Sequence, residues 1–129
     1  MTEENSNPQM IDTGLACFAI MANFFEKPIS IDQIRHKYDR QNSHFEEYEL
    51  LQLAKEFSFK ARFVETKWER LDKTALPAIA QSKDGAYFIL GRVADDKALI
   101  QDPAKGNHPE VLNKEEFTDR WNGRLLMMT

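Results

Sequence analysis

The chain has 129 residues, the size of one ordinary domain, and 42% of them are hydrophobic, which is enough for one core. Its formal net charge of −4 argues against a nucleic-acid-binding domain, because such domains carry a basic field. The single cysteine, Cys17, permits neither an internal disulfide nor a cysteine-rich zinc site, and a reducing compartment is the simplest interpretation. The longest apolar run, Leu15 to Phe25, is about half the roughly 20 residues that a membrane span requires.

Helical patterns occupy the first half of the sequence. Residues 1–8 contain no lysine or arginine, which argues against a secretory signal, and we expect a flexible leader there, followed by one domain at 9–129. Capping residues and apolar residues at helical spacing then predict three helices. They run from Asp12 or Thr13 to about Lys27, from a capping box of Ser30 and Gln33 to about Tyr38, and from Glu46 to Phe57, with a polar loop between Arg40 and His44.

Alternating or continuous apolar runs, separated by turn residues, occupy the second half and predict strands. The predicted strands are Phe59 to Val64, Leu76 to Ala80, Tyr87 to Val93, Ala98 to Gln101, Glu110 to Leu112 and Arg124 to Met128. The predicted turns are Asp84-Gly85 and Asp95-Asp96. Capping boxes are expected at Thr66 with Glu69, around a short turn, and at Asn113 with Glu116, where a last helix begins and runs to about Trp121. Because the helices come first and an antiparallel sheet follows, the fold class is predicted to be α+β.

Motifs that would bring a cofactor are absent. The sequence contains no phosphate-binding Walker loop, no dinucleotide-binding glycine pattern, no His-Glu-x-x-His and no calcium-binding loop. The three histidines, His36, His44 and His108, have no metal-ligand spacing to one another or to Cys17. We therefore expect no cofactor and no metal in this domain, and exposed or capping roles for the histidines.

The informative segment runs from Asp12 to Cys17, where a helix is predicted to begin. Papain-like cysteine peptidases place their nucleophile at a helix start, where the helix dipole lowers the thiol pKa. A histidine on a strand then serves as the base, and an Asp or Asn orients it. The segment resembles the signature Asp-Cys-Gly-x-Ala-Cys-Leu of the bacteriocin-processing cysteine peptidases. Asp12, Gly14, Ala16 and Cys17 match, Phe18 replaces the leucine, and Thr13 stands at the nucleophile position.

The resemblance extends from about Gln9 to Met128. The stretches similar to the family are Ile29 to Ile34, Leu50 to Phe63, Leu76 to Ala80, Asp84 to Leu90, Gln101 to Gly106 and Phe117 to Leu126. Within them, Tyr87 occupies the position of the catalytic histidine, and Asp102 matches the Asp-Pro motif that orients it. The resemblance implies a papain-like fold in which N-terminal helices pack on an antiparallel sheet.

Two departures from the family pattern concern catalysis. Thr13 replaces the cysteine, and a threonine hydroxyl needs a strong adjacent base to act as a nucleophile. Tyr87 replaces the histidine and is a poor base at neutral pH. A helper glutamine is also missing, since Asn7 stands at its position and Gln9 is two places off. We therefore expect a degenerate peptidase with no catalytic residue, in which Asp102 is a relic or a structural hydrogen-bonding group.

Other roles are open for several of these residues. Cys17 could be the nucleophile, but one turn into the helix and flanked by apolar residues it is better interpreted as core. Thr13 could be a nucleophile or, more simply, a helix cap. Tyr87 could fill the vacated histidine site by packing, or present an amphipathic surface to a bound polypeptide.

The resemblance also implies a biological context. Active members of the family cut leader peptides after a double glycine and are fused to ABC exporters, whereas inactive members occupy the same place in exporters of the haemolysin or RTX toxin type. We therefore expect a domain that binds an unfolded secretion substrate, with Thr13, Tyr87, Phe88 and Asp102 as candidate contacts. The alternatives are an active leader peptidase with unconventional residues and a purely structural or regulatory domain.

The implied partners are the membrane domain and the nucleotide-binding domain of the same transporter, and ATP is expected in the latter. No nucleic-acid partner is expected. The implied location is the cytoplasmic face of the bacterial inner membrane.

Overall fold

A computed structural model describes residues 12–38, 45–106 and 108–129, with the backbone alone for 35–38. The predicted leader, the loop at 40–44, Asn7 and Gln9, and the side chains of His36 and His44 lie outside the described residues. The helices are α1 (Thr13–Phe24), α2 (Ile31–Tyr38), α3 (Glu47–Glu56) and α4 (Lys114–Arg120). The strands are β1 (Ala61–Glu65), β2 (Ala78–Ser82), β3 (Tyr87–Ala94), β4 (Lys97–Gln101), β5 (Pro109–Asn113) and β6 (Trp121–Met128).

The six strands form one antiparallel sheet in the order β1-β6-β2-β3-β4-β5. The strand β6, last along the described chain, lies between β1 and β2, where it pairs Leu126 with both Phe63 and Ile79. The sheet therefore cannot be completed until the last strand is in place. With three helices ahead of it, the arrangement confirms the predicted α+β class.

The helix α1 begins at a double cap. Asp12 is its N-cap, and its Oδ1 accepts a hydrogen bond from the Leu15 amide at 3.1 Å. The other oxygen, Oδ2, accepts from the Phe45 amide at 3.1 Å, just ahead of α3. One buried carboxylate thus starts α1 and also ties it to the segment that leads into α3. Of the two predicted caps, Asp12 is the one used, and Thr13 is the first residue of the helix.

The sheet is buried on both faces in its centre. Adjacent residues of a strand point to opposite faces, so each central strand contributes to two apolar clusters. One cluster joins Ile79, Ile89 and Leu126 to α1, α2 and α3. The other joins Ala80, Phe88, Leu90 and Leu125 to Phe117 of α4 and to Leu71 of the 3-10 helix Trp68–Lys73. The domain is therefore layered as helices, sheet, and a thinner outer layer.

Most of the predicted local signals are present. Ser30 accepts from the Gln33 amide, Asn113 and Glu116 form a reciprocal capping box, and Asp95 and Asp96 both adopt positive φ in their hairpin turn. The capping box predicted at Thr66 and Glu69 is wrong, because Lys67 is the N-cap of the 3-10 helix and makes no side-chain cap bond. The predicted strand at Leu76 begins two residues later, after Pro77, which has no N–H for the ladder.

None of the helices in the described residues is both long and apolar enough to cross a membrane.

Removing the double cap should destabilise the domain. Asp12→Ala leaves two buried amides without their acceptor, so we expect the free energy of unfolding to fall by about 2 kcal/mol or more. The matched control is Asn113→Ala at the exposed cap of α4, where a loss of about 1 kcal/mol is expected. Urea unfolding followed by tryptophan fluorescence measures both. An Asp12→Ala loss no larger than that of Asn113→Ala would contradict the double role.

Candidate functional site

The start of α1 meets the start of β3 at the two positions that carry the resemblance to a catalytic dyad. The Tyr87 backbone amide donates a hydrogen bond of 2.9 Å to Thr13 Oγ1 across 74 residues of sequence. Both residues are buried, with 6% of Thr13 and 2% of Tyr87 exposed. The structure thus brings together the two residues that the sequence pattern places at the nucleophile and base positions.

The chemistry of this contact differs from that of a nucleophile with its base. Thr13 Oγ1 accepts its hydrogen bond from a backbone amide, which cannot take up the hydroxyl proton. The Tyr87 hydroxyl lies elsewhere and accepts a hydrogen bond of 3.3 Å from Gln81 Nε2. Thr13 therefore joins the start of α1 to the start of β3 through this hydrogen bond.

The ring of Tyr87 packs over the first turn of α1. A Cβ built on Gly14 would lie 3.2 Å from Tyr87 Cδ2 and 3.3 Å from Cε2, which is tighter than an ordinary van der Waals contact. The absence of a side chain at Gly14 makes this close approach possible. Of the two interpretations of Tyr87, the structure supports packing in the vacated histidine site, since an almost fully buried ring presents little surface to a partner.

The surroundings of Tyr87 keep its hydroxyl neutral. Burial raises the pKa of Tyr87 to about 12, and the negative charges of Glu47, Asp12 and Glu46 add to this, while Arg124 opposes it. A phenol with this pKa carries its proton throughout the physiological range. Tyr87 is therefore even less suited to act as a base than an unperturbed tyrosine.

Asp102, the third position of the pattern, is engaged with residues other than Tyr87. Its Oδ1 accepts from the Ala104 amide at 2.9 Å and caps the 3-10 helix Pro103–Lys105. Its Oδ2 forms an ion pair with the Arg120 guanidinium at the end of α4. The carboxylate therefore joins the end of β4 to α4, which matches the structural role considered for it.

Phe88 lies on the other side of the sheet from Tyr87. Its side chain is fully buried and packs edge-on against Phe117, with 5.9 Å between ring centroids. The guanidinium carbon of Arg120 lies 4.4 Å from the Phe88 ring centroid. The expectation that Phe88 and Tyr87 line the same cleft is wrong, because consecutive strand residues face opposite sides of the sheet.

Cys17 is part of the core. It is fully buried within α1, and its pKa is raised well above the ordinary thiol value, first by burial and then by the charges of Asp102 and Asp12. Since the thiolate is the reactive form, these surroundings favour an inert thiol. Its placement supports the interpretation as a small buried hydrophobe.

Within the described residues, no three His, Cys, Asp or Glu side chains are grouped so that they could hold a metal ion. The described histidine side chain, that of His108, is exposed beside the loop glycine Gly106.

A polar strip beside Tyr87 was not predicted. Gln81 Oε1 accepts a hydrogen bond of 2.8 Å from Asn122 Nδ2. Next to it, Arg124 pairs through two nitrogens with Glu47, at 2.5 and 2.8 Å. These partners are separated by 41 and 77 positions, and no local pattern links them. The alternation of residues along β6 could have predicted that Arg124 faces the helices. It could not have identified Glu47 as the partner of Arg124.

Curated relatives of the chain are ATP-binding proteins of toxin export. The chain is 34% identical over 119 residues to the cyclolysin secretion/processing ATP-binding protein CyaB of Bordetella pertussis, covering 90% of this chain and 16% of that protein. It is 28% identical over 117 residues to the alpha-hemolysin translocation ATP-binding protein HlyB of Escherichia coli O157:H7, covering 89% of this chain and 16% of that protein. The chain thus spans about a sixth of the length of these relatives.

Solved structures share the fold. The peptidase domain of Streptococcus ComA, a bifunctional ABC transporter of quorum sensing, superposes with a TM-score of 0.82 at 20% identity, over 92% of this chain and 90% of that one. The N-terminal peptidase C39-like domain of a toxin secretion ATP-binding protein from Vibrio parahaemolyticus gives 0.81 at 17%, over 93% and 98%. A double-glycine protease from an AMS/PCAT transporter, crystallised with its leader peptide, gives 0.78 at 22%, over 98% and 88%.

These structural likenesses bear out the peptidase-like α+β fold predicted from the sequence. The family itself is fixed by the sequence match, which covers residues 5–129 with the model of the peptidase C39 family. Because that match spans nearly the whole length, this chain belongs to the peptidase C39 family.

Proposed function

We propose that the chain is a catalytically inactive peptidase C39-like domain of a toxin-secretion ABC transporter and that it binds the unfolded secretion substrate. The observation that carries the first half is the contact of Thr13 with the Tyr87 backbone amide. In this contact Thr13 Oγ1, the oxygen at the nucleophile position, accepts a hydrogen bond from a backbone amide, and an amide cannot act as a base.

The surroundings of that contact support inactivity as well. The Tyr87 ring covers Gly14 in the first turn of α1, where a peptidase of this type needs open helix amides to bind the oxyanion. Asp102 pairs with Arg120, so the group that would orient a base is otherwise engaged. An active peptidase that uses Thr13 or Cys17 would have to rearrange all of these contacts.

Binding of a polypeptide is supported by the polypeptides that relatives of this chain bind or export. The AMS/PCAT protease of the same fold was crystallised with a leader peptide, so this fold can hold a peptide. The curated relatives translocate or secrete toxins. Loss of cleavage with retention of the fold is consistent with a domain kept for binding alone.

The four candidate contacts need revision within this proposal. Thr13, Tyr87, Phe88 and Asp102 are each at most 6% exposed, so they offer little area to a partner. We propose that Thr13, Tyr87 and Asp102 shape the domain and that the substrate contacts exposed residues elsewhere. The proposed setting is the cytoplasmic face of the bacterial inner membrane, beside the membrane and ATP-binding domains of the same transporter.

We expect no cleavage of double-glycine leader peptides, because the described partner of Thr13 Oγ1 is a backbone amide rather than a base, and Tyr87 stays protonated. The assay is overnight incubation with such a peptide followed by mass spectrometry, with a C39 peptidase that retains its cysteine and histidine as the positive control. Specific cleavage that is lost in Thr13→Ala or Cys17→Ala would overturn the inactive assignment.

We expect an RTX-type toxin polypeptide, held unfolded by a calcium chelator, to bind with an affinity on the order of micromolar, because ordering a flexible chain offsets much of the contact energy. Calcium-loaded, folded polypeptide should bind less. An NMR titration measures both and maps the contact residues. Since Tyr87 is buried, Tyr87→Phe should bind like the parent. The absence of any shift at high polypeptide concentration would instead favour a purely structural or regulatory domain.

A further inference from the structure

An apolar groove lies at the end of the domain remote from the Thr13–Tyr87 contact. It has a volume of about 570 Å³ and lies where α1 ends, β1 begins and β6 ends. The length of α1, 12 residues, places it about 18 Å from Thr13. Its apolar lining consists chiefly of Phe24, Phe25, Leu76, Pro77, Met127 and Met128.

The rim of this groove is basic. Lys60 and Arg62 line it, and the lining residues include no Asp or Glu. Glu26 follows Phe25 in the sequence but does not line the groove. Lys27 adds a further positive charge at the same end of α1, where its Nζ lies 3.4 Å from the Ser58 carbonyl oxygen. Phe24 is 57% exposed, an unusual state for a large apolar side chain beside other apolar groups. The surface thus combines apolar area with positive charge.

The groove adjoins the β1 edge of the sheet. Lys60 and Thr129 exchange both backbone hydrogen bonds, each of 2.9 Å. Because hydrogen-bonded and non-hydrogen-bonded pairs alternate in an antiparallel ladder, the backbone groups of Ala61 and Phe63 point away from β6. An edge strand with outward amides and carbonyls can accept an extended polypeptide as an additional strand.

We infer that this surface, the β1 groove, binds an extended acidic segment of the unfolded substrate polypeptide. The segment pairs with Ala61 and Phe63 through its backbone, places apolar side chains in the groove, and sets its carboxylates against Lys60 and Arg62. This inference rests on the proposed function and gives it a location and a substrate chemistry. The basic rim selects against segments rich in lysine and arginine.

The test uses two short unstructured peptides with identical apolar residues, one carrying Asp and Glu and the other Lys and Arg at the remaining positions, beside the chelated toxin polypeptide. The acidic peptide should bind the full chain at least tenfold more tightly than the basic one, with NMR shifts at β1 and at the end of α1. The double variant Lys60→Glu with Arg62→Glu should weaken binding of the acidic peptide at least tenfold.

Matched control variants are available on β3, β4 and β5, which do not pair with β1. Arg92→Glu with Lys97→Glu makes the same charge change on exposed residues of β3 and β4 and should leave affinity within twofold of the parent. Phe24→Ser should weaken binding at least fivefold, whereas Val111→Ser, at a similarly exposed apolar residue, should not. Since all these side chains are exposed, the variants should fold like the parent.

The outcomes separate this inference from the proposed function. Binding of the toxin polypeptide with shifts elsewhere, and without sensitivity to the Lys60 and Arg62 changes, would overturn the β1 groove while leaving substrate binding in place. Failure of the toxin polypeptide and both peptides to bind would overturn both. Equal affinity for the acidic and basic peptides would overturn the assigned substrate chemistry.

Discussion

The hydrogen bond from the Tyr87 amide to Thr13 joins the helical layer to the sheet, at the two positions whose sequence pattern resembles a catalytic dyad. Around it, Asp12 caps α1 and holds the segment leading into α3, and the Tyr87 ring covers Gly14. The start of α1 is thus held by hydrogen bonds and covered by an aromatic ring. The contact between Thr13 and Tyr87 is therefore a structural joint between α1 and β3.

This joint bears on where a polypeptide can bind. At this helix start the Tyr87 ring lies over Gly14, and the side chains of Thr13 and Tyr87 are buried. An apolar groove with a basic rim lies instead at the far end of α1, beside the β1 edge. In our account, loss of catalysis and relocation of the binding surface are two consequences of the same closure.

Local patterns predicted most of the elements, because caps, turns and strand alternation depend on residues close in sequence. The caps at Asp12, Ser30 and Asn113 are of this kind. The resemblance placed Thr13 and Tyr87 together across 74 positions, which no local pattern could do. It did not reveal that Asp102 pairs with Arg120, or that Arg124 pairs with Glu47, since such partners are fixed only when α4 and β6 pack.

The misplacement of Phe88 has a different origin. Its neighbour Tyr87 occupies a matched family position, but proximity in sequence along a strand does not place two side chains on the same face. The alternation along β3 places the two side chains on opposite faces, so Phe88 belongs to the cluster around Phe117. The β1 groove likewise could not be predicted, because it is assembled from the ends of three separated segments.

The most direct test of the closed joint is a double-mutant cycle of Gly14→Ala and Tyr87→Ala, measured as free energies of unfolding in urea. In an open helix position Gly→Ala stabilises by up to about 1 kcal/mol. Our account predicts that this gain is absent or reversed in the parent chain, where the new methyl meets the Tyr87 ring, and is recovered in Tyr87→Ala, giving a coupling energy of about 1 kcal/mol. Additive effects of the two changes would show that the ring does not close over the helix start and would contradict the account.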